Sequence, residues 1–283
     1  MIRVAFQGEP GAYGEEAIVR FFHPASVETV AMPTFSAVCE SVVSGSADAA
    51  VLPLENSLAG TVGDALDALA LGPLTVVGEI LQPIHHHLLV VPGAILSDVE
   101  RVTSHWQALS QCERFLSTHK WRPIPAADTA GAARQVAADR DPRVAAIASE
   151  RAAALYALQI AARHIQDAPH NVTRFAVIAP SHDGLSLARA LERRAASPAQ
   201  RETLITFETG HRPGDLVRAL TVLSDAGINL SRIESRPSGE GPWRYRFLIQ
   251  VAGDAVAEPL RSALANMQEH TRSMRVLGSF VAG

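Results

Sequence analysis

Lysine is nearly absent from this sequence, and several other features are scarce. Lys120 is the only lysine among the 25 basic residues. It lies outside any phosphate-loop or Schiff-base motif, which argues against a P-loop nucleotide hydrolase and a pyridoxal-phosphate enzyme. The net charge of -4 lacks the basic excess that nucleic-acid binding requires. No apolar run is long enough to cross a bilayer, and the N-terminus reads as a short strand instead of a signal peptide. We therefore expect a cytoplasmic protein that contacts neither nucleic acid nor membrane.

Cysteines and metal-binding motifs are equally sparse. Cys39 and Cys112 each lie at helical spacing among apolar residues, so we expect two reduced, buried thiols. His85 and His87 would share one face of a strand on either side of His86, but no third ligand follows at a telling spacing, which favours a structural role. The glycines after the first strand lack the dinucleotide-binding G-x-G-x-x-G spacing. We therefore expect neither a metal nor a cofactor.

Strand and helix patterns alternate along residues 1–180. This alternation predicts an α/β fold with parallel sheets and helices on both faces. Within it, apolar spacing predicts two long helices, Trp106–Ser117 and Glu150–Ala162. A polar stretch, 181–201, reads as a linker. The remaining residues, 202–283, show the order βαββαβ, which predicts a ferredoxin-like sandwich.

Small polar residues stand where predicted strands lead into helices. One reading is that they only cap those helices. The other is that several helix N-termini meet at the carboxyl ends of parallel strands and form a site for a small anion. The residues alone leave both readings open. The three sets are Glu55-Asn56-Ser57, Ser104-His105 and Asp128-Thr129-Ala130-Gly131.

The segment 171–175 places polar side chains at the start of an apolar strand. If it is extended, Asn171, Thr173 and Phe175 share one face and Arg174 points to the other. Arg174 fits either a surface ion pair that braces a hinge or, if the segment is bent, a carboxylate ligand. The segment is therefore a candidate for substrate contact.

Seven motifs, in this order, are similar to those of the prephenate dehydratases. The last contains Thr-Arg-Phe, which is the catalytic signature of that family. The order is far more specific than any single motif. The resemblance implies a two-lobed catalytic domain over 1–180, similar to type 2 periplasmic binding proteins, with the second lobe at roughly 82–168. The motifs span Phe6–Tyr13, Leu52–Val62, Ile84–Leu89, Ser104–Leu109, Asp128–Ala133, Ala145–Asp167 and Asn171–Phe175.

The same resemblance implies an activity and a set of contacts. The expected reaction is the decarboxylating dehydration of prephenate to phenylpyruvate in phenylalanine biosynthesis, without a metal or redox cofactor. Thr173 is expected to assist the departure of the hydroxyl group. The expected substrate contacts are Asn56, Ser57, Ser104, Gln107, Thr129, Asn171, Arg174 and Phe175.

The C-terminal residues resemble an ACT domain, a module that senses amino acids. Ile233–Pro237 contains its Glu-Ser-Arg-Pro motif, and Gly214–Val217 is similar to its Gly-Ala-Leu-Val motif. The resemblance implies feedback inhibition by phenylalanine and a homodimer or homotetramer. The expected effector contacts are Gly214, Leu216, Val217, Asn229, Leu230, Glu234, Ser235 and Arg236.

Two residues depart from the family pattern, and two other functions stay open. Trp106 stands where proline is usual, beside the expected substrate face, and Asp215 replaces the alanine of the sensor motif. One alternative is an arogenate dehydratase, or a cyclohexadienyl dehydratase that accepts both substrates. The other is a non-enzymatic amino-acid-sensing protein, against which the intact Thr-Arg-Phe signature argues. The missing export signal argues against a transport component.

Overall fold

The computed structural model describes residues 1–23, 25–181 and 201–283. The predicted linker therefore lies, apart from its two end residues, outside the described part of the chain. Within these ranges no helix is both long and apolar enough to cross a membrane.

The described residues form two compact units that do not follow the order of the sequence. Unit 1 comprises Met1–Val62 and Leu81–Phe175. Unit 2 comprises Gly63–Ile80 and Ala176–Gly283. A helix and most of a strand from the N-terminal half of the chain therefore belong to the same unit as the C-terminal residues.

The first sheet of unit 1 is built on three parallel strands. β1 (Ile2–Gln7) lies between β2 (Val27–Met32) and β3 (Ala49–Asn56). The short β4 (Gly60–Thr61) turns back antiparallel onto β3. Because β4 pairs with Glu55 and Asn56 at the end of β3, the predicted polar junction is a tight turn and not the start of a helix. The other elements are α1 (Tyr13–Phe22), α2 (Phe35–Val43) and the first residues of β11 (Val172–Pro180).

The second sheet of unit 1 has the order β10-β6-β9-β7-β8. β7 is parallel to β8 and β9, whereas β6 is antiparallel to β9 and β10. The predicted parallel pairing is therefore confirmed for β7, β8 and β9, whereas the antiparallel pairing of β6 with β9 and β10 contradicts it. Buried Leu88, Leu89 and Ile147 lie at the centre of its core. The strands are β6 (His87–Val90), β7 (Arg101–His105), β8 (Arg122–Ala126), β9 (Val144–Ala148) and β10 (Gln159–Ala162).

The two long helices predicted for this region are both shorter than expected. α7 (Glu150–Leu155) ends near Ala157, whose φ of 53° breaks the helix, and the residues after it form β10. Pairing with β6 thus overrides the helical preference of an alanine-rich stretch. The helix that was predicted over Trp106–Ser117 is interrupted at Gln111 and Cys112. Its parts are α4 (Trp106–Ser110) and α5 (Glu113–Ser117), which are followed by α6 (Thr129–Asp139).

Unit 2 contains the predicted ferredoxin-like fold. Its four-stranded sheet has the order β13-β14-β12-β15 with antiparallel neighbours, and the chain order is βαββαβ, as predicted. Two helices pack on one face around Phe207, Leu223 and Met267. The elements are α3 (Gly63–Leu71), most of β5 (Leu74–Pro83), β12 (Arg201–Glu208), α8 (Asp215–Asp225), β13 (Leu230–Pro237), β14 (Tyr245–Ala252), α9 (Leu260–Gln268) and β15 (Ser273–Val281).

Candidate active site

The orientation of the Asn56 side chain is fixed by the turn that follows β3. Its Oδ1 accepts hydrogen bonds from the backbone N–H groups of Leu58 at 3.0 Å and Ala59 at 2.9 Å. Only the oxygen of an amide can accept, so the nitrogen must face the other way. Asn56 Nδ2 donates to Asn171 Oδ1 at 2.7 Å and to Thr173 Oγ1 at 3.0 Å.

This arrangement determines how the Thr173 hydroxyl is used. Thr173 is buried near the start of β11, and its Oγ1 accepts from the Asn56 amide. A hydroxyl has two acceptor lone pairs and one proton to donate. Because the amide nitrogen is a donor only, the Thr173 proton is directed elsewhere. Thr173 is therefore a held hydroxyl whose proton is available to a bound molecule.

A chain of hydrogen bonds continues from Asn171 into the second lobe of unit 1. Asn171 Nδ2 donates to Gln111 Oε1 at 2.8 Å, and the same oxygen lies 2.9 Å from His86 Nε2. His86 must then carry its proton on Nε2, and its Nδ1 lies 2.9 Å from the Tyr13 hydroxyl, which donates to the His85 carbonyl at 2.7 Å. Burial lowers the pKa of His86, which keeps this imidazole neutral.

Gln111 belongs to this hydrogen-bonded chain although the sequence analysis did not predict it. The predicted contact was Gln107, one helical turn earlier in the same motif. Gln111 follows α4 at the interruption of the predicted long helix, which turns its side chain toward Asn171. The available signal was a second glutamine four residues after the first.

Ser57 belongs to the same group of residues, as predicted. Its Oγ donates to the carbonyl of His170 at 2.9 Å and accepts from the backbone N–H of Val172 at 3.0 Å. Both bonds hold the segment that carries Asn171 and Thr173 beside the turn after β3. The structure thus brings together Asn56, Ser57, Asn171 and Thr173 from positions more than a hundred residues apart.

Three other predicted contacts, Ser104, Gln107 and Thr129, belong to separate local arrangements. Ser104 is fully buried, and its hydroxyl donates to the carbonyl of Ile147 at 2.6 Å. Ser104 is not the helix cap, because His105 Nδ1 takes that role for the N–H of Gln107. Thr129 is the first residue of α6.

The capping interpretation is confirmed at the start of α6. Asp128 Oδ1 accepts from the backbone N–H of Gly131 at 2.7 Å. This is the ordinary geometry of an N-terminal cap.

Arg174 and Phe175 follow the alternation predicted for an extended strand. Phe175 is buried like Thr173, whereas Arg174 lies on the other face, with its Nε 3.8 Å from Glu55 Oε2. This position fits the bracing role of Arg174 better than a contact shared with Thr173. Trp106, at the first position of α4, has 61% of its surface exposed.

The histidine cluster packs through ring contacts, and the two cysteines are buried, as predicted. His87 and His85 each contact the ring of His164 edge-on, and burial lowers the pKa of His87 to about 4. Within the described ranges, no group of three or more potential ligands is arranged to hold a metal. Cys39 and Cys112 are free, buried thiols, and burial raises the pKa of Cys112 to about 12.

An ion pair between the buried Glu15 and the partly exposed Arg151 joins the two lobes of unit 1. Glu15 on α1 makes two 2.8 Å hydrogen bonds to Arg151 on α7. It also accepts from the Gly11 N–H and the Thr29 hydroxyl. Burial alone would raise the pKa of Glu15, but these donors outweigh it and hold the pKa below its usual value. The pair therefore fixes α7 against the loop before α1.

Replacing Glu15 by glutamine should lower the free energy of unfolding by roughly 1.5–3 kcal/mol, because a buried charge-assisted pair is lost. Chemical denaturation at neutral pH measures this. The pKa of Glu15 is lowered on folding, so its contribution is present above the ordinary glutamate pKa and disappears as pH falls through the folded value. The difference between wild type and Glu15→Gln should shrink accordingly in acid.

Glu150→Gln is the matched control for this prediction. Glu150 pairs with Arg163 at 2.9 Å, but more than half of each side chain is exposed. Such pairs contribute at most about 1 kcal/mol. Equal losses in the two variants would contradict the structural role given to Glu15.

The predicted effector contacts fall in two places in unit 2, at the start of α8 and along β13, which is one edge strand of the four-stranded sheet. Gly214 caps α8, and Asn229 immediately precedes β13. Asp215, the residue that departs from the motif, accepts from the Arg212 N–H at 2.8 Å and pairs with Arg218, and these bonds lower its pKa. Its charge is thus compensated within its own helix turn.

Arg236 lies near the far end of that strand. It is six residues from Leu230, which in a strand corresponds to roughly 20 Å. Its guanidinium pairs with Asp67 of α3 and is therefore separated from the predicted contacts at the start of β13.

Comparison with known proteins finds two family models that together match most of the chain. The family model for prephenate dehydratase matches residues 4–183, and the model for the ACT domain matches residues 203–267. The chain belongs to the prephenate dehydratase family. The prediction of family and fold class made from the seven motifs and the C-terminal pattern is therefore confirmed.

Members of this family and solved structures resemble the chain over its whole length. An arogenate dehydratase/prephenate dehydratase of Arabidopsis thaliana is 37% identical over 99% of this chain and 72% of its own length. The prephenate dehydratase of Arthrobacter aurescens, solved in complex with L-Phe, is 32% identical, with a TM-score of 0.86 over 99% of this chain and 90% of its own. A structure described as a novel type of quorum quenching acylase has the same identity and TM-score, over 99% of this chain and 98% of its own.

Proposed function

We propose that the protein catalyses the decarboxylating dehydration of prephenate to phenylpyruvate. The observation that carries this proposal is the Thr173 hydroxyl, which is held by Asn56 so that its proton is free to donate. The family membership of the chain and the names of its relatives support the same reaction.

The reaction needs a hydrogen-bond donor more than it needs a base. The carbon–carbon bond to the ring carboxylate breaks and releases carbon dioxide. Its electron pair restores the aromatic ring as the hydroxyl leaves, and one proton converts that hydroxyl to water. A threonine hydroxyl does not titrate near neutral pH, so Thr173 donates a placed hydrogen bond to the oxygen that gains charge.

The other predicted contacts keep supporting roles in this proposal. Asn171 accepts from the Asn56 amide and donates in turn to Gln111, which was not among the predicted contacts, and Ser57 holds the strand that carries Thr173. Ser104, Gln107 and Thr129 stay predicted contacts for the carboxylates or ring substituents. Arg174, beside Glu55, braces the strand, and the buried Phe175 anchors it.

An acylase activity is less compatible with the site. Acyl transfer by threonine requires a neighbouring base that removes the hydroxyl proton. The hydrogen bond to Thr173 Oγ1 comes from an amide nitrogen, which cannot accept a proton. The arogenate dehydratase alternative stays open, because the Arabidopsis relative carries both names.

Feedback inhibition by phenylalanine is the regulatory part of the proposal. The match to the ACT domain and the complex of the Arthrobacter relative with L-Phe support it. The predicted contacts are Gly214, Leu216 and Val217 at the start of α8, Asn229 and Leu230 at the start of β13, and Glu234, Ser235 and Arg236 further along that strand. A homodimer or homotetramer and a cytoplasmic location stay predictions.

Purified protein should form phenylpyruvate from prephenate, and phenylalanine should suppress that turnover. Phenylpyruvate is measured directly, and the same protein is assayed with arogenate and with an acylase substrate. A higher specificity constant for arogenate would move the assignment to arogenate dehydratase. Turnover of the acylase substrate alone would refute the proposed reaction in favour of acyl transfer. Turnover of none of the three would refute it and leave the non-enzymatic binding protein.

A further inference from the structure

Arg236 of the Glu-Ser-Arg-Pro motif contacts the N-terminal half of the chain. Its Nε and Nη2 donate to the two carboxylate oxygens of Asp67 at 3.1 and 2.6 Å. The two residues are 169 positions apart in the sequence and both belong to unit 2. Asp67 lies in the middle of α3, so the motif is attached to that helix.

The packing around this ion pair is specific. A methyl group on Gly63, the first residue of α3, would overlap the guanidinium of Arg236. A side chain at this position would therefore force the guanidinium of Arg236 to move. Both charged side chains are partly exposed, at 31% and 43%, so the pair contributes little to stability. Two parallel hydrogen bonds between planar groups instead fix the position of Arg236 relative to Asp67.

Arg275 holds the other end of the same helix. Its Nη1 donates to the carbonyl of Gly72 at 2.8 Å and its Nη2 to that of Leu69 at 3.2 Å. A cation at these carbonyls also complements the helix dipole. α3 is thus bonded to β13 at its middle residue and to β15 at its C-terminal end.

α3 is in turn continuous with the candidate active site. It begins at Gly63, one residue after the turn and short strand that orient Asn56. A shift of α3 along its axis would pull on this turn and change the donor that Asn56 presents to Thr173. β13, the strand that carries Arg236, begins at the predicted effector contacts Asn229 and Leu230.

We propose that the Arg236–Asp67 ion pair is a coupling contact that transmits the effector state of the ACT domain through α3 to the Asn56 turn. This inference rests on the proposed function, because it names the route of the regulation proposed there. Arg236 then acts on the link to α3 and not on the effector itself. Coupling also requires that phenylalanine favour one position of β13 over another.

Asp67→Asn is the direct test, in the full chain, with Gly63→Ala as a second variant that displaces Arg236 without changing charge. Asp64→Asn is the matched control. It removes the same charge from the same helix, and Asp64 acts on Arg236 only through its charge. Asp67→Asn and Gly63→Ala should bind phenylalanine with unchanged Kd by calorimetry. Inhibition at saturating phenylalanine should weaken at least about fivefold, whereas Asp64→Asn should behave as wild type.

Hydrogen exchange gives a readout that needs neither substrate nor effector. Amides in residues 56–71 should exchange faster in Asp67→Asn than in Asp64→Asn. Unchanged inhibition in Asp67→Asn, or loss of phenylalanine binding in that variant alone, would overturn the proposal. If the wild-type protein showed no turnover or no inhibition, the proposed function would fail separately, and equal exchange in the two variants would still refute the link.

Discussion

Thr173→Ala should lower kcat by about 10² to 10³ while leaving KM for prephenate nearly unchanged. That loss corresponds to one hydrogen-bond donor placed at a developing charge, about 2.7–4 kcal/mol. Asn56 already occupies one acceptor position of the Thr173 oxygen, so the hydroxyl proton is the group that is lost. Steady-state kinetics with prephenate measures both constants.

Two further variants make this result specific to the hydroxyl. Thr173→Ser keeps the hydroxyl and should retain most of the turnover. Thr206→Ala removes a threonine hydroxyl of similar burial, 7% exposed against 8%, from β12 in unit 2. A near-normal kcat in Thr173→Ala, or an equal loss in Thr206→Ala, would contradict the role of Thr173.

Asn56→Asp should reduce kcat by roughly 10²-fold, although it changes only one atom type. One carboxylate oxygen would still accept from Leu58 and Ala59. The other carboxylate oxygen would replace the Asn56 amide nitrogen, which donates to Asn171 Oδ1 and Thr173 Oγ1. That oxygen would accept the Thr173 hydroxyl proton, so Thr173 could no longer donate it to the substrate. The added negative charge should also raise KM for a dianionic substrate.

A double-mutant cycle separates this mechanism from a general effect of charge. If Asn56 acts through the Thr173 hydroxyl, the losses in kcat caused by Asn56→Asp and Thr173→Ala are less than additive. Asn266→Asp on the exposed surface of α9 is the matched control and should be neutral. Full additivity of the two losses would show that Asn56 contributes independently of Thr173.

Local patterns predicted those parts of the site that belong to continuous motifs. Asn56, Ser57, Asn171 and Thr173 were found because each stands in a short signature, and the structure joins them. Gln111 was missed because its role depends on the break between α4 and α5, and the apolar spacing of that stretch indicated one long helix. A side chain that reaches its partner only after a helix ends leaves no periodic signal.

The errors in the fold have a related physical origin. Residues 150–162 are rich in alanine, which favours a helix, and nothing local shows that three of them pair with β6. The polar junction after β3 was predicted to lead into a helix, whereas it forms a turn. The prediction failed because β4 is only two residues long, which is too short to produce a sequence pattern. The elements of the ferredoxin-like fold were predicted correctly because their helices are amphipathic over several turns.

The way α3 and β5 are built into unit 2 affects any attempt to separate catalysis from regulation by truncation. The backbone of β15 at Gly278 approaches Val76 so closely that a side chain at that position would collide with the Val76 carbonyl. Thr75 donates to the carbonyl of Leu277, and the buried Gln250 donates to Glu79. A fragment that ends near residue 180 would expose this buried polar surface to solvent. The C-terminal domain cannot be removed without destabilising the rest of the chain, because α3 and most of β5 are folded into the same unit.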